Sequence, residues 1–267
     1  GCDRFCSYCL IPYLRGRSRS RGIRSVLSEA QACGAREIVL TGIDITSYRD
    51  GAHDLGDLLL ALKDVPARIR LGSLEEGIVT REFLEKMRSA GNVCEHFHLS
   101  LQSGSDAVLR AMNRRYTRAQ YLEACALIGE YFPDAAVTTD LIVGFPTETE
   151  EDFGQSLSIV REAGLARVHA FPYSARPGTV AAKKKPLPDA VRRERMARML
   201  ACAREAEETY LARFAGRTFP ALFEEDGGYT PNYIRVYAEG VKEGGMYEVR
   251  LDRREKDGYH AAVIKEI

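Results

Sequence analysis

The sequence has no net charge, no long apolar run and no internal repeat. Lysine and arginine together number 38, as do aspartate and glutamate, so the total charge indicates no nucleic-acid partner, although it leaves room for local patches. No apolar stretch approaches the length of a membrane span, and the start lacks the basic and then apolar pattern of a secretory signal. We therefore expect a cytoplasmic protein without a membrane partner. Because Gly1 stands where a complete chain begins with Met, we also expect a fragment of a longer protein.

The cysteines also lack the dense, paired arrangement of a secreted disulfide-bonded domain. Seven are present, an odd number, and Cys2, Cys6 and Cys9 fall close together at the start. The other four are scattered along the chain: Cys33, Cys94, Cys125 and Cys202. This distribution is typical of a protein in a reducing compartment with one metal site and a few buried thiols.

Strand-like and helix-like patterns alternate after the cysteine cluster. Five segments read as strands: 37–42, 68–73, 96–101, 135–143 and 167–173. Because helical patterns separate them, they predict parallel βαβ units with right-handed crossovers. Five strands are too few for a closed eight-stranded barrel, so we expect an α/β fold with a partial, open barrel and ligands at the carboxyl ends of its strands. Thr147 and Glu150 have the spacing of a capping box, which predicts a helix beginning at Thr147.

The composition changes towards the end of the chain. A charged helical pattern follows the linker at about residue 188, and beyond Gly216 short apolar runs alternate with glycine pairs and turns. This second pattern predicts a small all-β barrel. We therefore expect a partial barrel over residues 1–187, a connecting helix over 188–214 and the small barrel over 215–267.

The first three cysteines have the spacing C-x3-C-x2-C. Iron–sulfur clusters are normally held by four cysteines, so three on one short loop leave one iron of a [4Fe-4S] cluster open, as in catalytic metal sites. S-adenosylmethionine (SAM) can chelate that iron. A zinc site with a fourth ligand from elsewhere and a set of free thiols are the alternatives. Tyr8, immediately before the last cysteine, and the βα pattern favour the cluster.

Several motifs in order resemble the methylthiotransferase family of radical SAM enzymes. Besides the cysteines they are RGRSRSR at 15–21, LQSGS at 101–105, TDLIVGFP at 139–146 and FPYS at 171–174. The C-terminal segment resembles that family's TRAM domain, a small RNA-binding β-barrel. The resemblance covers essentially the whole chain and implies a radical SAM partial (β/α) barrel followed by a TRAM-type barrel. LTGI at 40–43 with Tyr48, and GYTPNY at 228–233, resemble the branch that acts on tRNA carrying N6-threonylcarbamoyladenosine at position 37.

The resemblance implies an enzyme that 2-methylthiolates this nucleoside, using one SAM as methyl donor and a second as the source of the 5′-deoxyadenosyl radical. It also implies an electron donor of the flavodoxin or ferredoxin type. Family members hold a second [4Fe-4S] cluster in an N-terminal domain, which this sequence lacks together with the first barrel strand. We therefore expect SAM cleavage at best, and no sulfur transfer by this chain alone. Smaller departures from the family pattern are Glu76, Ser100 and Thr147.

Two other functions remain open. One is the same chemistry on an aspartate of a ribosomal protein. The other is a non-catalytic RNA-binding fragment whose cysteines hold a different metal.

The resemblance implies cofactor contacts beyond the catalytic cysteines. The residues expected to contact SAM are Tyr8, Gly42, Gln102, Ser103, Ser105 and Asp140. Each of the last five also has a structural alternative. Gly42 could simply permit a turn, residues 102–105 could form a turn and a helix N-cap, and Asp140 could belong to a buried hydrogen-bond network.

Two further groups are candidates for RNA contact. Arg17 and Arg19 belong to a basic run that could bind phosphate or the SAM carboxylate, or lie in a solvated loop. Tyr229, Asn232, Tyr233 and Arg235 interleave aromatic and polar groups, a pattern that suits stacking on unpaired bases but equally suits barrel core and turn residues.

Overall fold

A computed structural model describes residues 1–267 and confirms the expected fold class, an α/β partial barrel followed by a closed five-stranded β-barrel. The helices are α1 Ile11–Arg15, α2 Ile23–Ala32, α3 Leu55–Ala61, α4 Arg81–Ala90, α5 Asp106–Ala111, α6 Arg118–Tyr131, α7 Glu150–Glu162 and α8 Asp189–Ala212. The strands are β1 Glu37–Leu40, β2 Arg68–Leu71, β3 Ser73–Leu74, β4 His96–Leu99, β5 Ala136–Val143, β6 Arg167–Pro172, β7 Thr218–Glu224, β8 Gly227–Tyr229, β9 Arg235–Tyr237, β10 Met246–Glu255 and β11 Gly258–Glu266. None of the helices combines the length and the apolar composition that crossing a bilayer requires.

The strands of the partial barrel are parallel and follow one another in chain order. β1 pairs with β2, and β3 to β6 form a second parallel run. Gly72 alone separates β2 from β3, and its amide donates to the carbonyl oxygen of Leu40 at 2.8 Å. A Cβ at Gly72 would lie 3.2 Å from that oxygen, so the close approach of the two strands favours glycine. Five strand positions therefore result, in agreement with the periodicity of the sequence.

Threonine caps set where several helices begin. Thr80 accepts from the amide of Phe83 at the start of α4, as the sequence predicts. The capping box predicted at Thr147 is wrong, because the box consists of Thr149 and Asp152 and α7 begins at Glu150. Both threonines are followed three residues later by an acidic residue. The turn after β5 extends to Glu148, so the N-cap of α7 is Thr149, two residues later in the chain than predicted.

The second barrel is seated at the amino ends of the parallel strands. Its core includes Ala136 at the start of β5 and Ala166 just before β6. The Tyr210 hydroxyl on α8 donates to the carbonyl oxygen of Asp134 at 3.2 Å and to that of Asn232 in the barrel at 2.9 Å. The barrel thus closes one end of the parallel sheet and leaves the carboxyl ends of the strands uncovered.

Candidate active site

The cysteine loop is fastened to the end of α5. The side-chain amide of Asn113 donates to the carbonyl oxygens of Arg4 and Phe5 at 3.3 and 2.9 Å. Ser7 adds two bonds, from its amide to the Met112 carbonyl oxygen and from its hydroxyl to that of Ala111. Phe5 itself has a φ of 52°, a left-handed conformation that costs a non-glycine residue energy and is sustained by these surrounding bonds.

All three cysteines of the motif line one cavity of about 180 Å³. The loop folds so that the amide of Cys9 donates to the carbonyl oxygen of Cys6 at 3.0 Å. No three His, Cys, Asp or Glu side chains converge as the ligands of a single metal ion do. A cubane cluster does not require such convergence, because each thiolate binds a different iron. The cavity brings the three thiols to one space, which is the arrangement that a [4Fe-4S] cluster with one open iron requires.

Four charged side chains line this cavity together with the cysteines: Arg4, Asp44, Glu75 and Arg114. Arg4 pairs with Asp44 at 2.9 Å and with Glu75 at 3.3 Å. Arg114 pairs with Glu75 at 2.8 Å, and one of its terminal nitrogens lies 3.6 Å from the sulfur of Cys6. Burial raises the pKa of the Cys2 thiol above its ordinary value.

A second cavity of about 560 Å³ adjoins the first. Tyr8, Cys9, Ile11 and Gln102 line both. The remaining lining is mostly apolar, with Asp140 and Arg176 as its charged groups: Leu10, Leu14, Ile142, Phe171, Pro172, Tyr173 and Ser174 complete it. A few polar groups in an apolar cavity of this size are typical of a small-molecule site.

Three of the residues predicted to contact SAM lie at these cavities. Tyr8 packs edge-on to Phe145 with ring centroids 6.5 Å apart, and burial raises the pKa of its phenol. Gln102 has a φ of 65°, and its amide donates to the carbonyl oxygen of Asp140 at 2.8 Å, which binds it to β5. The Asp140 carboxylate lies 3.4 Å from Nε2 of His98.

The two predicted serines are not brought to either cavity. Ser103 and Ser105 are each 1% exposed. Ser105 caps α5 and its hydroxyl donates to Asp152, while Ser103 accepts from the amide of Ser105 at 3.2 Å. Gly104 between them packs on α7, where a Cβ would lie 2.6 Å from the carbonyl oxygen of Gln155. Ser105 is therefore the N-cap of α5, and contact of the two serines with SAM stays a prediction.

Gly42 lines neither of these two cavities. It follows β1 and lines a separate cavity of about 610 Å³, together with Arg19, Arg21 and Tyr48. Asp44, two residues further on, lines this cavity and the cysteine cavity alike. Asp44 therefore lines the cysteine cavity, whereas Gly42 does not.

The candidate RNA residues of the second barrel meet the first barrel instead. Asn232 is 2% exposed; its amide donates to the Asp134 carbonyl oxygen at 3.1 Å, and its own oxygen accepts from Thr230 at 2.6 Å. Tyr233 stacks on His96 with ring centroids 4.1 Å apart and on Tyr229 at 5.0 Å. Asn232 and Tyr233 therefore take part in the contact between the barrels, a role that neither sequence interpretation included.

The remaining candidates are more open. Tyr229 and Arg235 are half-buried, and the Arg235 guanidinium donates to the Tyr229 hydroxyl at 2.9 Å. Arg17 is exposed, pairs with Asp3 at 2.8 Å and lies over the ring of Phe5. Arg19 is exposed at the rim of the 610 Å³ cavity.

Sequence reasoning missed the charged wall of the cysteine cavity. Asp44 and Glu75 follow β1 and β3, and the rule that the carboxyl ends of parallel strands gather at one edge could have found them. Arg4 lies within the motif itself. Arg114 lies in the connection after α5, where no local pattern marks it.

The family model described as the Radical SAM superfamily matches residues 1–160. The chain belongs to the radical SAM superfamily. Membership implies a [4Fe-4S] cluster and SAM as cofactors of this superfamily core.

Curated relatives cover the chain over its whole length. The tRNA-2-methylthio-N(6)-dimethylallyladenosine synthase of Staphylococcus aureus strain Newman is 35% identical, and the protein of the same name from strain JH9 is 34% identical. Each alignment takes in 100% of this chain and 56% of the relative, so the chain spans about half the length of the curated relatives it matches. The radical SAM chain is therefore related to tRNA methylthiotransferases. These names do not support the threonylcarbamoyladenosine branch in particular.

Solved structures show the same fold at low identity. Coproporphyrinogen III oxidase from Escherichia coli superposes with a TM-score of 0.57 at 17% identity, over 77% of this chain and 50% of that one. The radical S-adenosylmethionine methyltransferase from Kitasatospora setae gives 0.58 at 17% identity, over 68% and 37%. At this identity the likeness concerns the radical SAM fold alone.

Proposed function

We propose that this chain forms the radical SAM and C-terminal parts of an enzyme that 2-methylthiolates an N6-modified adenosine in tRNA. The observation that carries the proposal is the shared cavity of Cys2, Cys6 and Cys9, which adjoins a second cavity of about 560 Å³ with an apolar lining and a few polar groups. The relatives' names supply the substrate class. In this proposal residues 1–187 form the catalytic barrel, 188–214 the connecting helix and 215–267 the TRAM-type barrel.

The residues of the chain have separate tasks in this proposal. Cys2, Cys6 and Cys9 hold the cluster, and the bound cluster with SAM supplies the reductive cleavage that generates the reactive radical. Gln102 and Tyr8 line both cavities and so border SAM where it meets the cluster. Asp140, held near His98, offers a carboxylate to the hydroxyl groups of SAM.

The substrate enters through the mouth of the second cavity. Leu14 is 72% exposed and Phe171 is 53% exposed there, which leaves an apolar rim beside the pocket. Exposed apolar side chains around a cavity are typical of binding surfaces. Arg17 and Arg19 are the phosphate contacts we propose for the tRNA backbone, and Tyr229 with Arg235 are the contacts we propose for the second barrel.

The identity of the modified nucleoside has two candidates with different support. The motifs at 40–43 and 228–233 favour N6-threonylcarbamoyladenosine, as the sequence resemblance implies. The names of the curated relatives favour N6-dimethylallyladenosine. The second cavity offers an apolar lining that suits a dimethylallyl group, and the guanidinium of Arg176 that suits the threonylcarbamoyl carboxylate.

Sulfur donation requires groups that the chain does not bring together. Cys33 is exposed, and Cys94, Cys125 and Cys202 are buried at separate places in the fold. We propose that a second [4Fe-4S] cluster, held by cysteines outside this sequence, provides the sulfur. We also propose that the enzyme works in the cytoplasm. Electrons come from a protein of the flavodoxin or ferredoxin type.

The test is a methylthiolation assay with the full-length enzyme and three substrates: tRNA with N6-dimethylallyladenosine, tRNA with N6-threonylcarbamoyladenosine, and a ribosomal-protein aspartate peptide. We expect a 2-methylthio product, identified by mass spectrometry, from one of the tRNAs and none from the peptide. Arg176→Gln should reduce the yield at least tenfold if the threonylcarbamoyl tRNA is the substrate, and should leave the dimethylallyl reaction near its normal rate. Product from the peptide alone would refute the proposal, as would zinc without sulfide in the purified protein.

A further inference from the structure

Arg114 is a buried cation that contacts the sulfur of Cys6 in the cysteine cavity. Its side chain is 6% exposed, and its terminal nitrogens lie 2.8 Å from a Glu75 oxygen and 3.6 Å from the Cys6 sulfur. It also donates to the Ser100 carbonyl oxygen at 2.9 Å and to the Tyr116 hydroxyl at 3.2 Å. These partners fix the guanidinium in one orientation against Cys6.

The charges around Arg114 are shared rather than paired one to one. Glu75 binds Arg114 and Arg4, and Arg4 also binds Asp44. The four side chains therefore sum to zero, and the sulfur of Cys6 is an additional acceptor for the Arg114 guanidinium. The guanidinium of Arg114 carries its positive charge even when it is buried, because arginine is not deprotonated in proteins.

A fixed buried cation beside a cluster ligand has a predictable electrical effect. One-electron reduction adds a negative charge to a cluster, and a neighbouring positive charge in a medium of low dielectric stabilises the reduced form. Net charge, hydrogen bonds to the sulfurs and solvent exposure are the features by which a protein sets the reduction potential of such clusters. Within this neutral group, Arg114 is the charged donor that lies beside the Cys6 sulfur, so it places a local positive charge and a hydrogen-bond donor there.

We propose that Arg114 is a positioning residue that holds Cys6 and raises the reduction potential of the cluster on Cys2, Cys6 and Cys9, and that Glu75 lowers it. This inference rests on the proposed cluster but not on the proposed tRNA substrate. It gives the Arg114–Glu75 pair a task in setting how readily the cluster is reduced before SAM is cleaved.

The experiment is a redox titration followed by electron paramagnetic resonance on the reconstituted chain without SAM. Four variants are compared with the unaltered protein: Arg114→Gln, Arg114→Lys, Glu75→Gln and Arg118→Gln. Arg118 is the matched control, because it follows closely in the chain but binds Glu162 and the carbonyl oxygens of Gly104 and Gln155. Iron and sulfide are measured in every sample.

We expect Arg114→Gln to lower the ratio of reduced to oxidised cluster about tenfold at a fixed potential, a downward shift of about 59 mV for a one-electron couple. Arg114→Lys keeps the charge and should restore most of the ratio. Glu75→Gln should shift the potential upward, and Arg118→Gln should leave it unchanged. If Arg114 and Glu75 had purely structural roles, Arg114→Gln and Glu75→Gln would not shift the reduction potential in opposite directions.

Several outcomes would overturn the inference. One is a full cluster in Arg114→Gln with an unaltered potential, and another is a shift of the same sign in Glu75→Gln. If Arg114→Gln does not hold a cluster, the direction of the shift in Glu75→Gln decides the matter. Failure of the unaltered protein to take up iron and sulfide would contradict the proposed cluster itself.

Discussion

The two ends of the parallel sheet each carry a buried arginine–glutamate pair beside a cysteine, and only one end is a candidate site. At the carboxyl end, Arg114 pairs with Glu75 and approaches Cys6. At the amino end, Arg70 binds both oxygens of Glu37 at 2.9 and 3.0 Å. Residue type and burial therefore do not distinguish the two.

The two ends of the sheet differ in the groups that accept hydrogen bonds from the other N–H donors of the arginines. At the amino end Arg70 also donates to the carbonyl oxygens of Thr230 and Pro231, each at 3.2 Å, and Arg68 donates to that of Tyr229 at 2.8 Å. The second barrel thus uses these donors, and Tyr233 stacked on His96 completes the contact. At the carboxyl end the corresponding wall faces a cavity. A buried charged pair thus indicates a functional site where its neighbours leave space, and an interface where another domain's backbone satisfies it.

The largest expected effect comes from exchanging one cysteine at each end. Cys6→Ala should abolish cluster assembly and the formation of 5′-deoxyadenosine from SAM and dithionite. Cys94→Ala should retain both, because burial raises the pKa of Cys94 to about 11 and keeps its thiol protonated and unreactive near neutral pH. Iron and sulfide analysis and chromatography of the nucleoside product are the measurements. If Cys6→Ala retains its full iron content, the cluster does not lie at the carboxyl end of the sheet.

The next largest effect concerns the stability of the closed end. Glu37→Gln leaves the buried Arg70 without a counter-charge, and we expect the free energy of unfolding to fall by about 3 kcal/mol. Glu205→Gln is the matched control, because its pair with Arg161 is largely exposed and should contribute less than about 1 kcal/mol. Urea denaturation followed by circular dichroism measures both. Equal losses in the two variants would mean that the amino-end pair does not fasten the barrels.

This contrast also explains which features the sequence revealed. Alternating strand and helix patterns predicted the five strand positions, because each strand lies in a short run with Ile, Val, Leu or Phe between two helical patterns. The cysteine spacing identified the loop, because its three ligands are close in the chain. These features are local, and a local pattern suffices to find them.

The features that were missed depend on tertiary contacts. Ser103 and Ser105 follow a strand in the way that ligand-binding residues do, but the packing of α7 converts them into buried cap residues. The aromatic pattern around Tyr233 suited RNA stacking or barrel core and turn residues, and the stacking of Tyr233 on His96 of the first barrel depends on the tertiary position of the second barrel. Arg114 and Glu75 meet across the fold, so neither can be chosen from its own neighbourhood in the chain.

The smallest expected effect is the pH dependence of the amino-end pair. Burial would raise the pKa of Glu37, but the bonds from Arg70 and Arg68 outweigh it and hold that pKa below its ordinary value of 4.5. Because the folded pKa is depressed, the stabilisation by Glu37 is complete above about pH 4.5 and is lost as the pH falls through the folded pKa. The stability difference between the unaltered protein and Glu37→Gln should therefore be constant from pH 7 to 5 and shrink towards zero below that range. Glu148, whose pKa burial raises, acts in the opposite direction but is present in both proteins and cancels. If the stability difference persists unchanged down to pH 2, Glu37→Gln is less stable because the amide packs less well, and not because the charge of Glu37 is lost.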